Sequence, residues 1–161
     1  MVKNNKKGFT LIELLIVSTI IIVLSGTSLA LFSTYKDDRV LNAQVSILSH
    51  TLELAKNKAT AGDVALCSSS STAHVDGYTV TISSTNITLL AGCIAPTPIN
   101  YSIPTNVAYV SPSLPFSIHF DNQNYQGGTQ EFIIKNISTS KCKFVQIDET
   151  GLITNGDRSC P

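Results

Sequence analysis

The stretch that decides the fold is Lys6–Tyr35, KKGFTLIELLIVSTIIIVLSGTSLALFSTY. From Phe9 to Tyr35 it holds one charged residue, Glu13. A bilayer-spanning helix needs about 20 apolar residues, and this run is long enough. Lys3, Lys6 and Lys7 precede it. Basic residues on that side keep the N-terminus cytoplasmic and send the rest of the chain outward. Small residues (Ser25, Gly26, Thr27 and Ser28) continue the run and allow close helix approach.

A secretory signal ends in a small-residue cleavage site after its apolar core. Here the candidate site, Gly8-Phe9, lies before the core. Cutting there leaves the apolar helix in the mature protein. A plain, unprocessed signal anchor is the alternative. Glu13 separates the two readings. A lone carboxylate within lipid costs at least about 2.5 kcal/mol. It sits four residues after Phe9, one helical turn on. A new amine at Phe9 gives it a cationic partner, on its own chain or on a neighbour's.

These residues resemble the type IV pilin and type II secretion pseudopilin superfamily, whose leader and first helix KKGFTLIELLIV matches almost letter for letter. The resemblance implies cleavage after Gly8 by a prepilin peptidase, N-methylation of Phe9, and a role for Glu13 in docking into a filament. It implies partners: other pilin or pseudopilin subunits, the peptidase and an inner-membrane assembly platform. It places the chain in the bacterial inner membrane as a single-pass protein with its C-terminal domain periplasmic or exported.

The organisation expected is a leader over 1–8, a transmembrane and assembly helix over 9–34, and an exported α+β domain over 35–161. A chain of 161 residues has room for a stem and one domain. Removing three leader lysines from eleven cations leaves eight against eleven acidic residues. A weakly acidic exported domain has no electrostatic pull toward nucleic acid or anionic lipid.

Beyond the charged segment Lys36-Asp37-Asp38-Arg39 the helix continues. Val40, Leu41, Val45, Leu48, Leu52 and Ala55 recur at three- to four-residue spacing. Asn42, Gln44, Ser46, His50, Glu53 and Lys56 fall on the other face, and Gly62 is the stop. After it the pattern alternates. Tyr78–Ile82, Ile87–Leu90, Phe116–Phe120, Glu131–Ile137, Lys143–Ile147 and Leu152–Thr154 read as strands. Ala95–Pro115 holds five of the six prolines and reads as a rigid loop with one short edge strand at Val107–Val110. Asn155–Pro161 reads as a polar tail. A helix followed by antiparallel strands defines an α+β fold, a long N-terminal helix packed on a C-terminal sheet domain. The segments FDNQNYQGGTQEFIIKN and CKFVQIDETGLITNGD resemble the end of the GspH/FimT-type minor pseudopilins and minor pilins.

Four cysteines, Cys67, Cys93, Cys142 and Cys160, lie on the exported side, where disulfides form. Three pairings exist. Cys67–Cys93 and Cys142–Cys160 join elements close in sequence and are favoured; the second is similar to the C-terminal disulfide loop of many pilins. There is no CxxC pair and the histidines are scattered, so no metal or cofactor is expected. No GxSxG, HExxH or phosphate-binding glycine loop occurs, and the chain is not expected to be an enzyme. Lys135, Lys141 and Lys143 form a small basic patch near one hairpin. The function expected is a minor pilin or pseudopilin subunit; the alternative is a pilus-tip binding module for DNA uptake or adhesion.

Overall fold

The structure, a computed structural model, describes residues 9–67, 75–122, 124–125 and 127–161, with backbone alone at 26–31, 33, 34 and 124. The leader over 1–8, with the Gly8 cleavage position, and the Ser68–Ser71 loop lie outside the described residues.

Helix α1 runs from Leu11 to Ala61. Thr10 caps its start: its Oγ1 accepts the Glu13 N–H at 3.3 Å. Its end is a Schellman motif. Gly62 takes φ +61°, and the N–H groups of Gly62 and Asp63 donate to the carbonyls of Ala59 and Lys58 at 3.1 and 3.0 Å. The chain divides into two compact units, 1–36 and 37–161.

Among the described residues of the second unit, nine strands form two antiparallel sheets. They are β1 (Tyr78–Ile82), β2 (Asn86–Ala91), β3 (Ile99–Ser102), β4 (Val107–Ser111), β5 (Phe116–Asp121), β6 (Asn124–Tyr125), β7 (Gln130–Asn136), β8 (Cys142–Ile147) and β9 (Ile153–Arg158). One sheet has the order β3-β2-β1-β5-β6 and the other β4-β7-β8-β9. Alternation decides the buried face. Tyr78, Val80 and Ile82 point inward from β1, and Ile87, Leu89 and Ala91 from β2. The helical stripe Leu41, Val45, Leu48, Leu52, Ala55 and Ala59 is buried in one core with them and with Phe120, Phe132, Ile134, Val145 and Ile147.

Four expectations are corrected. The proline-rich segment holds a second strand, β3, because Pro98 and Pro104 flank it without interrupting it. A two-residue strand, β6, lies within the glycine-rich loop after β5. The polar tail is largely strand: β9 extends to Arg158 by pairing in unbroken register with β8. Gln44 is 1% exposed, and its Nε2 donates to the Tyr109 hydroxyl at 3.2 Å. That partner removes the cost of burying an amide beside the apolar stripe.

Candidate assembly site and the exported domain

Over its described side chains the first unit is a helix with apolar groups on all sides. Phe9 and Leu11 are each 83% exposed, and Ile12, Leu14, Leu15, Ile16, Ile20, Ile21, Ile22, Val23 and Leu24 are all more than half exposed. A helix with an apolar surface all round belongs in a protein core or in lipid. Its hydroxyls are adapted to such surroundings. Ser18 Oγ donates to the Leu15 carbonyl at 2.9 Å, Thr19 Oγ1 to the Ile16 carbonyl at 2.8 Å, and Ser25 Oγ to the Ile21 carbonyl at 2.7 Å. Each finds its acceptor on its own helix and needs no water.

Glu13 is exposed and stands in the first helical turn. A carboxylate there faces the positive end of the helix dipole, next to the N–H groups the first turn leaves unpaired. Thr10-Leu-Ile-Glu13 also has capping-box spacing, a signal in the sequence that identifies Thr10 as the cap. Phe9 and Glu13 are thus held one turn apart, which is the geometry a new amine at Phe9 needs to meet a carboxylate.

Among the described residues no helix is long and apolar enough to cross a membrane. The described side chains of the apolar run stop at Ser25 and resume at Phe32.

In the second unit, disulfides join Cys67 to Cys93 and Cys142 to Cys160, the two pairs favoured by nearness in sequence. The first stitches the loop after α1 to the loop after β2, reinforced by the Thr97 N–H donating to the Leu66 carbonyl at 2.7 Å. The second ties the end of the chain to the start of β8.

Of the three lysines of the expected patch, two are paired with carboxylates. Lys141 Nζ pairs with Asp38 at 2.7 Å, and Lys143 Nζ with Asp157 at 2.5 Å. The Lys143 ammonium, through its hydrogen bond, holds the Asp157 carboxyl below its ordinary pKa. Lys135 lies on β7 opposite Ala108 and Cys142. Arg158 pairs with Glu131.

Two polar anchors escape a reading of the sequence. Asn136, fully buried, accepts the N–H groups of Ser138 and Thr139 and donates to the Asp37 carbonyl at 3.0 Å. Asn106 donates to the Asp37 carboxylate at 3.2 Å. With Lys141–Asp38, they fix the helix at the lower end of the second unit. Their only sequence signal is two asparagines within strand-rich segments.

Asp148 and Glu149 sit in the β8–β9 turn. Asp148 Oδ1 accepts from the Thr150 hydroxyl at 2.6 Å and from the Thr150 and Leu152 N–H groups at 2.8 and 2.9 Å. These bonds, the Thr150 hydroxyl first, hold its carboxyl below the ordinary value. The carboxylate is spent on the turn. Among the described residues no group of three or more His, Cys, Asp or Glu is placed to hold a metal.

Residues 3–29 match the family model of the prokaryotic N-terminal methylation motif. The match supports a type IV pilin-like protein of the kind processed by prepilin peptidase. No curated protein and no solved structure matches the chain.

Proposed function

We propose that the chain is a minor pilin or pseudopilin subunit, nearest in kind to the GspH/FimT type. A prepilin peptidase cuts after Gly8 and the Phe9 amine is methylated. Residues 9–34 then serve first as a single transmembrane helix in the inner membrane and later as the packed stem of a type II secretion pseudopilus or type IV pilus. Residues 35–161 form the exported domain. The role is structural and not enzymatic.

The observation that carries this reading is the coincidence of the methylation motif over residues 3–29 with a helix whose apolar side chains are exposed on every side. Such a surface is stable only in lipid or against like helices. Within that surface, an unpaired Glu13 costs about 2.5–3.5 kcal/mol at bilayer depth. Pairing with the Phe9 amine of an adjacent chain removes the cost at the moment the stems come together. The carboxylate thereby selects the docked arrangement.

Mass spectrometry of the mature chain tests the proposal. The chain is expected to begin at Phe9 and to carry one extra methyl group. Gly8→Val is expected to block processing and assembly together. Glu13→Ala is expected to leave processing intact and to lower incorporation into filaments at least tenfold, on the order of the cost of one unpaired carboxylate. A mature chain starting at Met1, or after Ala30, overturns the reading.

A further inference from the structure

The five-stranded sheet buries one face in the core and turns the other outward. Tyr78, Val80 and Ile82 point inward from β1, so Thr79 and Thr81 point outward. The outward positions of β1, β2 and β3, and of β5 as far as His119, hold no Asp, Glu, Lys or Arg. A solvated surface ordinarily mixes charges of both signs. This one is hydroxyl and amide. One cross-strand row reads Asn100, Thr88, Thr81 and Ser117 over β3-β2-β1-β5. Thr88 Oγ1 donates to Asn100 Oδ1 at 2.7 Å, and the Thr81 and Ser117 hydroxyls meet at 3.0 Å. In the next row Thr79 Oγ1 meets His119 Nδ1 at 3.1 Å. The imidazole lies beside Gly77, where an added Cβ would stand 3.0 Å from its Cε1 and Nε2 atoms. One ring nitrogen is thus held, and Nε2 has no hydrogen-bond partner among the described residues.

A cavity of about 360 Å³ opens at the β5 border of this face. Ser117, His119 and Asp121 line it from the outer face of β5, and Phe116 and Ile118 from the inner face. A space that touches both faces of one strand lies at its edge, and β1 occupies the other edge of β5. Tyr125, Gly127 and Gln130 complete the lining. The Tyr125 hydroxyl is committed, donating to the Gly128 carbonyl at 2.7 Å, so that residue offers its ring. One side of the cavity is therefore apolar and the other polar. Ser117 and His119 belong both to the cavity and to the hydroxyl rows.

We propose that this face binds an uncharged glycan, with one sugar unit in the cavity and the chain continuing over the hydroxyl rows. A sugar carries hydroxyls around a ring whose C–H face is apolar. Each hydroxyl both donates and accepts, and so do those of Thr and Ser. The side chains of the rows already hold one another, so little rotamer freedom is lost when a ligand arrives. The apolar side of the cavity takes the C–H face, as pockets with a few convergent polar groups do for small ligands. The three strand spacings from β3 to β5 cover about 14 Å, the reach of a short oligosaccharide. A nucleic acid finds no cation at the outward positions, and an apolar partner finds Leu90 alone. All these residues lie within 37–161, so the site needs neither the stem nor a neighbouring subunit.

The test uses the full chain in phosphocholine micelles, since a glycoside detergent would compete. The probes are the tetrasaccharides of glucose and of N-acetylglucosamine, with a sulfated oligosaccharide as the charged control. An uncharged probe is expected to bind saturably and to shift the amide resonances of Thr79, Thr81, Ser117 and His119. The sulfated probe is expected not to bind. Replacing Thr81 and Thr88 together with valine keeps the β-branched shape and removes two hydroxyls. The pair is expected to weaken binding about tenfold, as the loss of one or two hydrogen bonds implies, with the thermal transition of the domain unchanged. Ser117→Lys, at an exposed position where cavity and rows meet, is expected to weaken it as well. The proposal is overturned if neither uncharged probe binds, or if the sulfated probe binds more tightly than both. It is also overturned if the shifts fall outside the five-stranded sheet, or if the valine pair binds as the parent chain does.

Discussion

Two halves of one helix obey the same local rules and end in opposite surroundings. In residues 11–25 the large apolar side chains are about half exposed or more, whichever way they point. In residues 41–59, Leu41, Val45, Leu48, Leu52, Ala55 and Ala59 are at most 6% exposed, and polar residues occupy the opposite face. The second half finds its apolar partners in the strands that follow it in the same chain. Among the described residues of its own unit the first half has no such partners, and its stability rests on what surrounds it. Backbone propensity does not separate the halves; the angular spread of apolar residues does.

The sharpest way to break this contrast is to remove the same side chain bulk from each half. Leu52→Ala, at a site with no solvent exposure, is expected to destabilise the 37–161 unit by about 2–5 kcal/mol. Ile16→Ala is expected to leave the thermal transition of that unit unchanged in detergent. Circular dichroism melts of the full chain measure both. If Ile16→Ala lowers the transition as far as Leu52→Ala does, the first half depends on the domain and the contrast is wrong.

A smaller effect is expected from the crosslinks, which belong to the second unit alone. The Cys142–Cys160 bridge spans 18 residues of sequence and holds the end of the chain against β8. Replacing both cysteines with serine is expected to cost about 3 kcal/mol. The urea midpoint of the 37–161 unit should fall, and amides of β9 should exchange faster than those of β7. An unchanged midpoint would mean that strand pairing alone holds the tail.

The sequence made this division legible because both signals are long. A stretch from Phe9 to Tyr35 with a single charged residue, and then a stripe repeating for five turns, outweigh any local ambiguity. Strands β1, β5, β7 and β8 were legible through alternation, as in Tyr78-Thr-Val-Thr-Ile82. Strand β9 was not, because Thr154-Asn-Gly-Asp-Arg158 has low strand propensity and is held by register with β8. Strand β3 was masked by its flanking prolines. The cavity between α1 and β9, lined by Asn42, Ser46, His50, Asn155 and Gly156, was hidden for a related reason. Asn42, Ser46 and His50 look like an ordinary solvated helical face, and only the path of β9 beside them makes a cavity. Glu13, in contrast, was conspicuous, since a single acid in an apolar run has few innocent explanations.

Gln44 supplies the finest refinement: with Ser49 and Thr51 it is one of the polar residues that the second half buries beside its stripe. Its amide is buried and donates to Tyr109 Oη. Burial drives the Tyr109 hydroxyl up to about 12, against the weaker downward pull of the Gln44 hydrogen bond. The sign of the linkage follows. Below pH 10, tyrosine is protonated whether the chain is folded or not, and this residue adds no pH dependence. Between about pH 10 and 12 the unfolded chain loses that proton first, so stability falls by about 1.4 kcal/mol per pH unit from this group. Tyr109→Phe is expected to remove that slope. At neutral pH it should also cost about 1 kcal/mol, because Gln44 Nε2 is left without its acceptor in the core. Denaturant midpoints of both forms, followed from pH 8 to 12, separate the two effects. A helix docked on its sheet by apolar contact alone would show neither.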